Sequence, residues 1–162
     1  VITLEGTDDA TKEASNYQAK LEALSQDVLP RNAEGFPVFD LCLIGVGDDG
    51  HIGSLYPNRN EIQEKKRWVT GVEMKSPPSI TLTLPVMLAA KQSVVSAAGK
   101  SDKYPQGKAS AMRLAIEDPE ITPDQFPACA IRDKALWILD EPNASEMLSL
   151  PRSSLEQVMA LI

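Results

Sequence analysis

Cysteine, basic clusters and long apolar runs are all scarce in this 162-residue chain, and each scarcity excludes a class of protein. The two cysteines, Cys42 and Cys129, lie far apart and form no CxxC pair, so we expect free buried thiols and a reducing compartment. The net charge of -7 and the lack of a Lys/Arg block argue against nucleic-acid binding, because a polyanion requires a basic face. No apolar run approaches the roughly 18 residues of a membrane span. We therefore expect any anionic ligand to be small and locally held.

What the chain does contain is the composition of an ordinary globular domain, with 43% hydrophobic and 24% charged residues. No linker, internal repeat or low-complexity segment divides it, so we expect one α/β domain over residues 1–162. No signal peptide is apparent, and the chain begins at Val1 rather than Met. The expected location is the cytoplasm, with the stroma of an organelle as the alternative.

Apolar periodicity alternates along the chain between that of strands and that of helices. The predicted strands are 1–4, 41–46, 68–74, 80–84, 93–98 and 135–139. The predicted helices are 10–28, a short one from residue 52, one over 85–90, one that follows Gly107, and 153–162. Strands that alternate with helices indicate a three-layer α/β/α sandwich with a mostly parallel sheet.

The segment FDLCLIGVGDDGHIGSLYP, residues 39–57, combines a strand with a glycine-rich turn. Its first half is an apolar run, short and dense enough for a strand buried on both faces. Its second half holds the residues of a sharp turn: Gly45, Gly47, Asp48, Asp49, Gly50 and His51, the one histidine of the chain. Because open α/β sheets bind ligands at the carboxyl ends of their parallel strands, we place the candidate site here.

Each candidate residue also has a purely structural interpretation. A lone histidine is more often structural or exposed than catalytic, and Asp48 and Asp49 suit Asx turns. The glycines fit a tight turn without a ligand as well as an anion-accepting concavity of backbone amides. Lys108 begins a predicted helix, where the free amides and the dipole favour a phosphate, but a solvated surface lysine fits the same pattern. Ser54 is as compatible with a helix cap as with substrate contact.

The turn and two later segments resemble one family. GVGDDGHIGSLYP is similar to the signature of the 6-phosphogluconolactonases, which belong with the glucosamine-6-phosphate isomerase/deaminase group. The deaminases usually continue DGH with an Ala-Phe-Asn-Glu type sequence, whereas SLYP, residues 54–57, is similar to the lactonase Ser-Leu-Phe-Pro. ITLTLPV (80–86) and ALWILDEPNAS (135–145) resemble the family's next motif and its C-terminal strand and helix. The resemblance implies a modified doubly wound α/β fold.

Several family features are missing or altered. A Ser-Gly-Gly-Ser type phosphate loop and an Asp-Glu-Arg motif, which the family carries in a further N-terminal portion, do not occur, so the chain resembles roughly the C-terminal two thirds of such a protein. Ser79 stands where the family usually has an Arg expected to hold the substrate phosphate, and Leu88 where it usually has Asn. The family's Gly-x-x-Lys-Ala is stretched, with Lys108 as the best match for its Lys and Lys103 as a rival. The sequence leaves open whether Lys103 or Arg132 replaces the missing Arg.

By this resemblance we expect hydrolysis of 6-phosphogluconolactone in the oxidative pentose phosphate pathway, without a metal or an organic cofactor. Histidine suits the general base because its unperturbed pKa lies near neutrality, and the resemblance assigns this role to His51, with Asp49 to orient it. The residues expected to bind the sugar-phosphate lactone are Gly45, Gly47, Gly50 and Lys108. Two alternatives stay open. One is a non-catalytic family member that acts as a structural or assembly subunit with protein partners, as the departures at 79 and 88 suggest; the other is a sugar-phosphate isomerase or deaminase, which SLYP disfavours.

Overall fold

A computed structural model describes residues 1–74, 76–105 and 107–149. In chain order its elements are helix α1 (Ala10–Glu22), strands β1 (Leu41–Ile44), β2 (Val69–Val72) and β3 (Ser79–Leu82), helix α2 (Leu84–Ala89), strand β4 (Gln92–Ala97), helix α3 (Ala109–Glu117) and strand β5 (Ala135–Leu139). Short 3-10 helices lie at Asn60–Gln63 and Pro127–Ile131. The predicted helix over 153–162 lies outside the described residues.

The main sheet is parallel, with β4 between β1 and β5. Its register pairs Cys42 with Ser93 and Val95 with Trp137. Parallel neighbours require a crossover, and α3 lies in the connection from β4 to β5. Strands β2 and β3 form a separate antiparallel pair. The predicted α/β architecture with a mostly parallel sheet is confirmed.

Two apolar clusters hold these layers together. The larger lies between β1, β4 and α3, where Ile52, Leu55 and Met112 are completely buried. The smaller lies between α1 and the β2–β3 pair, around Ala14 and Val69. The candidate turn is anchored on the larger cluster, because Ile52 and Leu55 follow it directly.

The predicted strand over residues 1–4 is wrong. No β-ladder involves these residues in the described part of the chain, and Val1 and Leu4 are exposed. The segment that follows is held instead by the buried Glu13 of α1, whose carboxylate accepts from the backbone amides of Glu5 and Thr7 at 2.7 and 2.8 Å. These amide bonds hold the pKa of Glu13 below its usual value. In the described part of the chain, the β-branched composition of residues 1–4 is therefore not matched by a neighbouring strand.

Helix α1 ends at Glu22, short of the predicted residue 28. The guanidinium of Arg31 donates to the carbonyls of Leu21, Leu24 and Leu29, so it satisfies acceptors that a longer helix would have used itself. Val28, the last residue of the predicted helix, is 67% exposed.

Two further expectations near the candidate site are corrected. Strand β1 is buried on one face rather than both, since Cys42 and Ile44 are buried while Leu41 and Leu43 are 52% and 76% exposed. The short helix expected from Ile52 is a tight turn, in which the backbones of Ile52 and Leu55 bond to each other in both directions. Gly53 at its centre has a φ of +56°, which a right-handed helix does not accommodate.

The two cysteines are free, as predicted, but only Cys42 is fully buried; Cys129 is partly exposed. Burial raises the pKa of both thiols, which disfavours the reactive thiolate. No helix in the described ranges is long and apolar enough to cross a membrane.

Candidate active site

The chain leaves β1 at Ile44 and folds into a closed turn over residues 47–51. The amide of Gly47 donates to the carbonyl of His51 at 2.8 Å, and the amide of Gly50 donates to the carbonyl of Gly47 at 3.1 Å. Val46 and Ile52 pair across the base of this turn. The charged residues are thus held at the carboxyl end of a parallel strand, as the sequence indicated.

His51 and Asp49 form the central contact of the turn. The imidazole Nδ1 lies 2.6 Å from Asp49 Oδ1, and the same oxygen accepts from the His51 backbone amide at 3.1 Å. The ring of Tyr56 lies against the imidazole with 4.6 Å between the ring centroids. The His51 side chain is 31% exposed, so it is oriented and still accessible. With Nδ1 engaged by the carboxylate, Nε2 is the nitrogen available for proton transfer.

The three glycines predicted to bind substrate have different surroundings. A Cβ on Gly47 would lie 2.1 Å from His51 Nδ1, so glycine there makes room for the imidazole. Gly50 has a φ of +83°, and a Cβ would lie 2.4 Å from the ring of Phe126. A Cβ on Gly45 would meet no atom within 4 Å. The amides of Gly47 and Gly50 are both engaged inside the turn, so they shape it rather than line an open concavity.

Lys108 joins the same turn from the start of α3. Its ammonium donates to the carbonyl of Val46, and its backbone amide donates to the Asn143 side chain at 2.7 Å. An ammonium has three donors, and one is used by Val46. The structure therefore brings Lys108 to the base of the turn that holds His51 and Asp49, which are up to 59 positions away in the sequence.

A second group of polar residues extends from Lys108 along the loop before α3. Asp48, Lys103, Tyr104 and Lys108 line a cavity of about 320 Å³. A hydrogen bond with Tyr104 holds the pKa of Asp48 below its usual value, and the positive charges of Lys103 and Lys108 add to this effect. The Lys103 ammonium lies 4.7 Å from the centre of the Tyr104 ring. Asp48 is therefore a carboxylate at neutral pH, balanced by two lysines.

The positions that depart from the family pattern lie in ordinary structural contacts. The Ser79 hydroxyl donates to the Ser54 hydroxyl at 3.1 Å, and the Ser54 amide donates to the Thr81 hydroxyl. Leu88 is 40% exposed. Arg132, a candidate replacement for the missing Arg, donates to the carbonyls of Ala115, Leu114 and Asp118 at the end of α3. Its guanidinium is thereby engaged at the end of the helix, whereas Lys103 and Lys108 line a cavity next to the turn.

Sequence reasoning missed Asn143 and Tyr104. Asn143 is 1% exposed and contacts the Lys108 backbone, while the sequence suggested an ordinary helix start after β5. An Asn in a D-x-x-N pattern after a strand was the available signal, but it does not reveal burial. In the described ranges no cluster of three or more His, Cys, Asp or Glu side chains is arranged to hold a metal.

Comparison with known proteins identifies the family. Residues 1–138 match the family described as glucosamine-6-phosphate isomerases/6-phosphogluconolactonase. The chain belongs to this family. Among its relatives, the human 6-phosphogluconolactonase is 35% identical over 157 residues, which are 93% of this chain and 55% of that protein. The 6-phosphogluconolactonase of Streptomyces coelicolor is 38% identical over 149 residues, which are 86% of this chain and 52% of that protein.

Solved structures of the family share the fold. The 6-phosphogluconolactonase of Leishmania guyanensis superposes with a TM-score of 0.68 at 26% identity, covering 93% of this chain and 62% of that one. A monomeric glucosamine-6-phosphate deaminase superposes with a TM-score of 0.56 at 22% identity, over 87% of this chain and 56% of that one, which is a likeness of fold. The chain thus spans about half the length of the relatives it matches in sequence.

Proposed function

We propose that the protein to which this chain belongs hydrolyses 6-phosphogluconolactone to 6-phosphogluconate, with His51 as the general base. The observation that carries the proposal is the 2.6 Å contact between His51 Nδ1 and Asp49 on an accessible imidazole at the carboxyl end of β1. The names of the relatives at 35% and 38% identity support the choice of lactone as substrate. The reaction would serve the oxidative pentose phosphate pathway, and the free thiols support a reducing compartment such as the cytoplasm.

The proposed chemistry needs one proton acceptor that later acts as a donor. Nε2 of His51 takes a proton from water as the water oxygen attacks the lactone carbonyl carbon. The tetrahedral intermediate then collapses, the bond to the ring oxygen breaks, and the imidazolium returns its proton to that oxygen. The products are a carboxylic acid, which ionises at neutral pH, and a hydroxyl. Asp49 holds the ring orientation and stabilises the imidazolium between the two steps.

Lys108 is the proposed partner of the substrate phosphate. It stands at the start of α3, where the helix dipole favours an anion, and its ammonium is held next to the turn by Val46. Lys103, which lines the same 320 Å³ cavity, adds a second positive charge. In this arrangement Gly47 and Gly50 act by shaping the turn around His51, and Gly45 connects it to the strand.

The test is hydrolysis of freshly prepared 6-phosphogluconolactone by the intact protein, corrected for spontaneous ring opening. We expect His51→Ala to lower kcat by about two to four orders of magnitude, as is usual when a general base is lost. Asn16→Ala, which removes a partly exposed side chain of α1 that bonds to Glu5, is the matched control and should keep full activity. Unchanged turnover in His51→Ala would exclude this histidine as the base.

The second candidate function is a non-catalytic subunit of an assembly. Ser79 and Leu88 favour it, because neither side chain supplies the charge or the amide that the family pattern has at these positions. An intact and folded protein without turnover above background, recovered in a large complex, would establish this alternative instead.

A further inference from the structure

Asn143 lies where three segments meet near the candidate site. Its side chain is buried, with 1% exposure, in the loop after β5. Its Nδ2 donates to the carbonyl of Gly99, after β4, at 3.2 Å, and its Oδ1 accepts from the amide of Lys108, at the start of α3, at 2.7 Å. One side-chain amide therefore ties the ends of two parallel strands to the beginning of the helix that carries Lys108.

A carboxylate fixes Asn143 in turn. Asp140 accepts from both the backbone amide and Nδ2 of Asn143, and its second oxygen accepts from the Gly99 amide at 2.6 Å. The donors and the acceptor of the Asn143 amide are all satisfied, so its orientation has no competing alternative. Asp140 and Asn143 thus form one hydrogen-bonded bracket between the ends of the two strands.

The backbone next to Lys108 packs closely against the Asn143 side chain. Gly107 has a φ of +64°, and a Cβ there would lie 2.6 Å from Asn143 Oδ1. The backbone at residues 107–108 is thus pressed against the Asn143 amide. From this fixed point the Lys108 side chain reaches the carbonyl of Val46, next to the turn that carries His51.

We propose that Asn143 is a positioning residue for anion binding: its amide fixes the backbone from which Lys108 presents its ammonium to the substrate phosphate. The inference rests on the proposed function, because it takes Lys108 as the phosphate partner. Asn143 itself does not touch the substrate. Loss of the Asn143 side chain leaves the Lys108 amide without its hydrogen-bond partner and loosens the start of α3. The Lys108 ammonium is then no longer held beside the turn.

The kinetic test is Asn143→Ala in the intact protein, assayed with 6-phosphogluconolactone. We expect KM to rise about 10-fold while kcat stays within about 2-fold, since uniform binding is lost and the His51–Asp49 pair is untouched. Thr83→Val is the matched control. Thr83 is also completely buried and donates one hydrogen bond, to the carbonyl of Arg67, so this variant should lose stability without a change in KM.

A double-mutant cycle separates positioning from mere folding. If Asn143 acts through Lys108, then Asn143→Ala should raise KM no further once Lys108→Met is present. Additive increases in KM, or an unchanged KM in a folded Asn143→Ala protein, would overturn the inference.

A second variant keeps the test usable if Asn143→Ala does not fold. Asn143→Asp retains an acceptor for the Lys108 amide but sets a second carboxyl beside Asp140. The neighbouring positive charges are Lys100 and Lys108, which line the same cavity as Asn143. Two adjacent carboxyls share one proton at low pH and repel when both are ionised. The ratio of its KM to that of the unaltered protein should therefore increase with pH. A ratio of KM values that stays constant with pH would contradict the positioning role of Asn143.

Binding of the product 6-phosphogluconate, measured by calorimetry, tests the positioning role of Asn143 separately from the proposed lactonase activity. A protein without turnover whose affinity for 6-phosphogluconate still falls about 10-fold in Asn143→Ala would refute the proposed function and keep the inference. Equal affinity in both proteins, or binding by neither, would overturn the inference itself.

Discussion

The two ends of α3 are each approached by a basic side chain, with opposite results. At the C-terminal end, Arg132 comes from outside the helix and donates to the carbonyls of Ala115, Leu114 and Asp118. At the N-terminal end, Lys108 belongs to the helix start and donates away from it, to Val46 at the end of β1. The first cation completes the helix, whereas the second connects the helix to the turn of His51.

This difference shows that charge alone does not mark a binding site. A guanidinium presents a planar set of donors, and at Arg132 these match the unpaired carbonyls of a helix end, where the dipole favours a cation. The ammonium of Lys108 uses one donor for Val46, at a helix end where the dipole favours an anion. Arg132 is therefore a structural residue and Lys108 the proposed ligand-binding one, although the sequence offered both as candidates.

The largest effect on stability is expected from a substitution at the C-terminal end of α3. Arg132→Met keeps much of the apolar stem but removes three carbonyl contacts from a charged donor, so we expect a loss of about 3 kcal/mol in the free energy of unfolding. Thermal or urea unfolding measures it. The KM of the protein that remains folded should be unchanged, and a raised KM would show that Arg132 also contributes to the site.

Arg113→Met is the control on the same helix. Arg113 pairs with Glu146 at 3.9 Å, and both side chains are more than a third exposed, so the cost should stay below about 1 kcal/mol. Equal destabilisation by the two variants would mean that the carbonyl contacts of Arg132 add nothing.

A smaller effect is expected at the N-terminal end. Lys108→Met removes the ammonium and keeps the length of the side chain, so we expect KM for 6-phosphogluconolactone to rise about 10- to 30-fold, equivalent to about 1.4 to 2 kcal/mol. Stability should change by less than it does in Arg132→Met. Lys91→Met is the control, because Lys91 forms an exposed ion pair with Asp40 at 2.6 Å; an equal rise in its KM would indicate a general effect of net charge.

The smallest effect concerns the pH dependence of the bracket at Asn143. The Asn143 side chain and then the Gly99 amide hold the pKa of Asp140 below its usual value. A carboxyl whose pKa is lowered by folding stabilises the protein above its unfolded pKa of about 3.9, and this contribution is lost as the pH falls through the folded value. The difference in Tm between the unaltered protein and Asp140→Asn should therefore shrink between about pH 6 and pH 3. A difference that stays constant over this range would contradict the pKa shift.

The sequence located the elements well where a local pattern and the tertiary environment agree. Strand β5 has the predicted bounds, Ala135–Leu139, and the turn with Asp49 and His51 lies at the end of β1 as expected. In both places the local sequence is sufficient to predict the structure. Strand β5 is an apolar run that a charged residue ends, and in the turn glycines stand beside residues whose side chains need space. The contact between His51 and Asp49 spans two residues, so the sequence could suggest it.

The sequence failed where a distant side chain decides the backbone. Glu13 holds the segment that directly follows the expected strand, and Arg31 ends α1 before Val28. The role of Arg132 at α3 and that of Asn143 beside Lys108 depend on contacts across 14 to 35 positions. Such contacts leave no periodicity, because one side chain is enough to satisfy several backbone groups.

The bond from Lys108 to Val46 also affects the entropy of binding. A free lysine side chain has about 1.5 to 2 kcal/mol of rotamer entropy to lose when it is fixed. Here the fixing takes place when the protein folds, since the ammonium already rests on a backbone carbonyl beside the turn. The Lys108 side chain therefore loses little further entropy when a phosphate binds, and more of the electrostatic attraction remains as affinity.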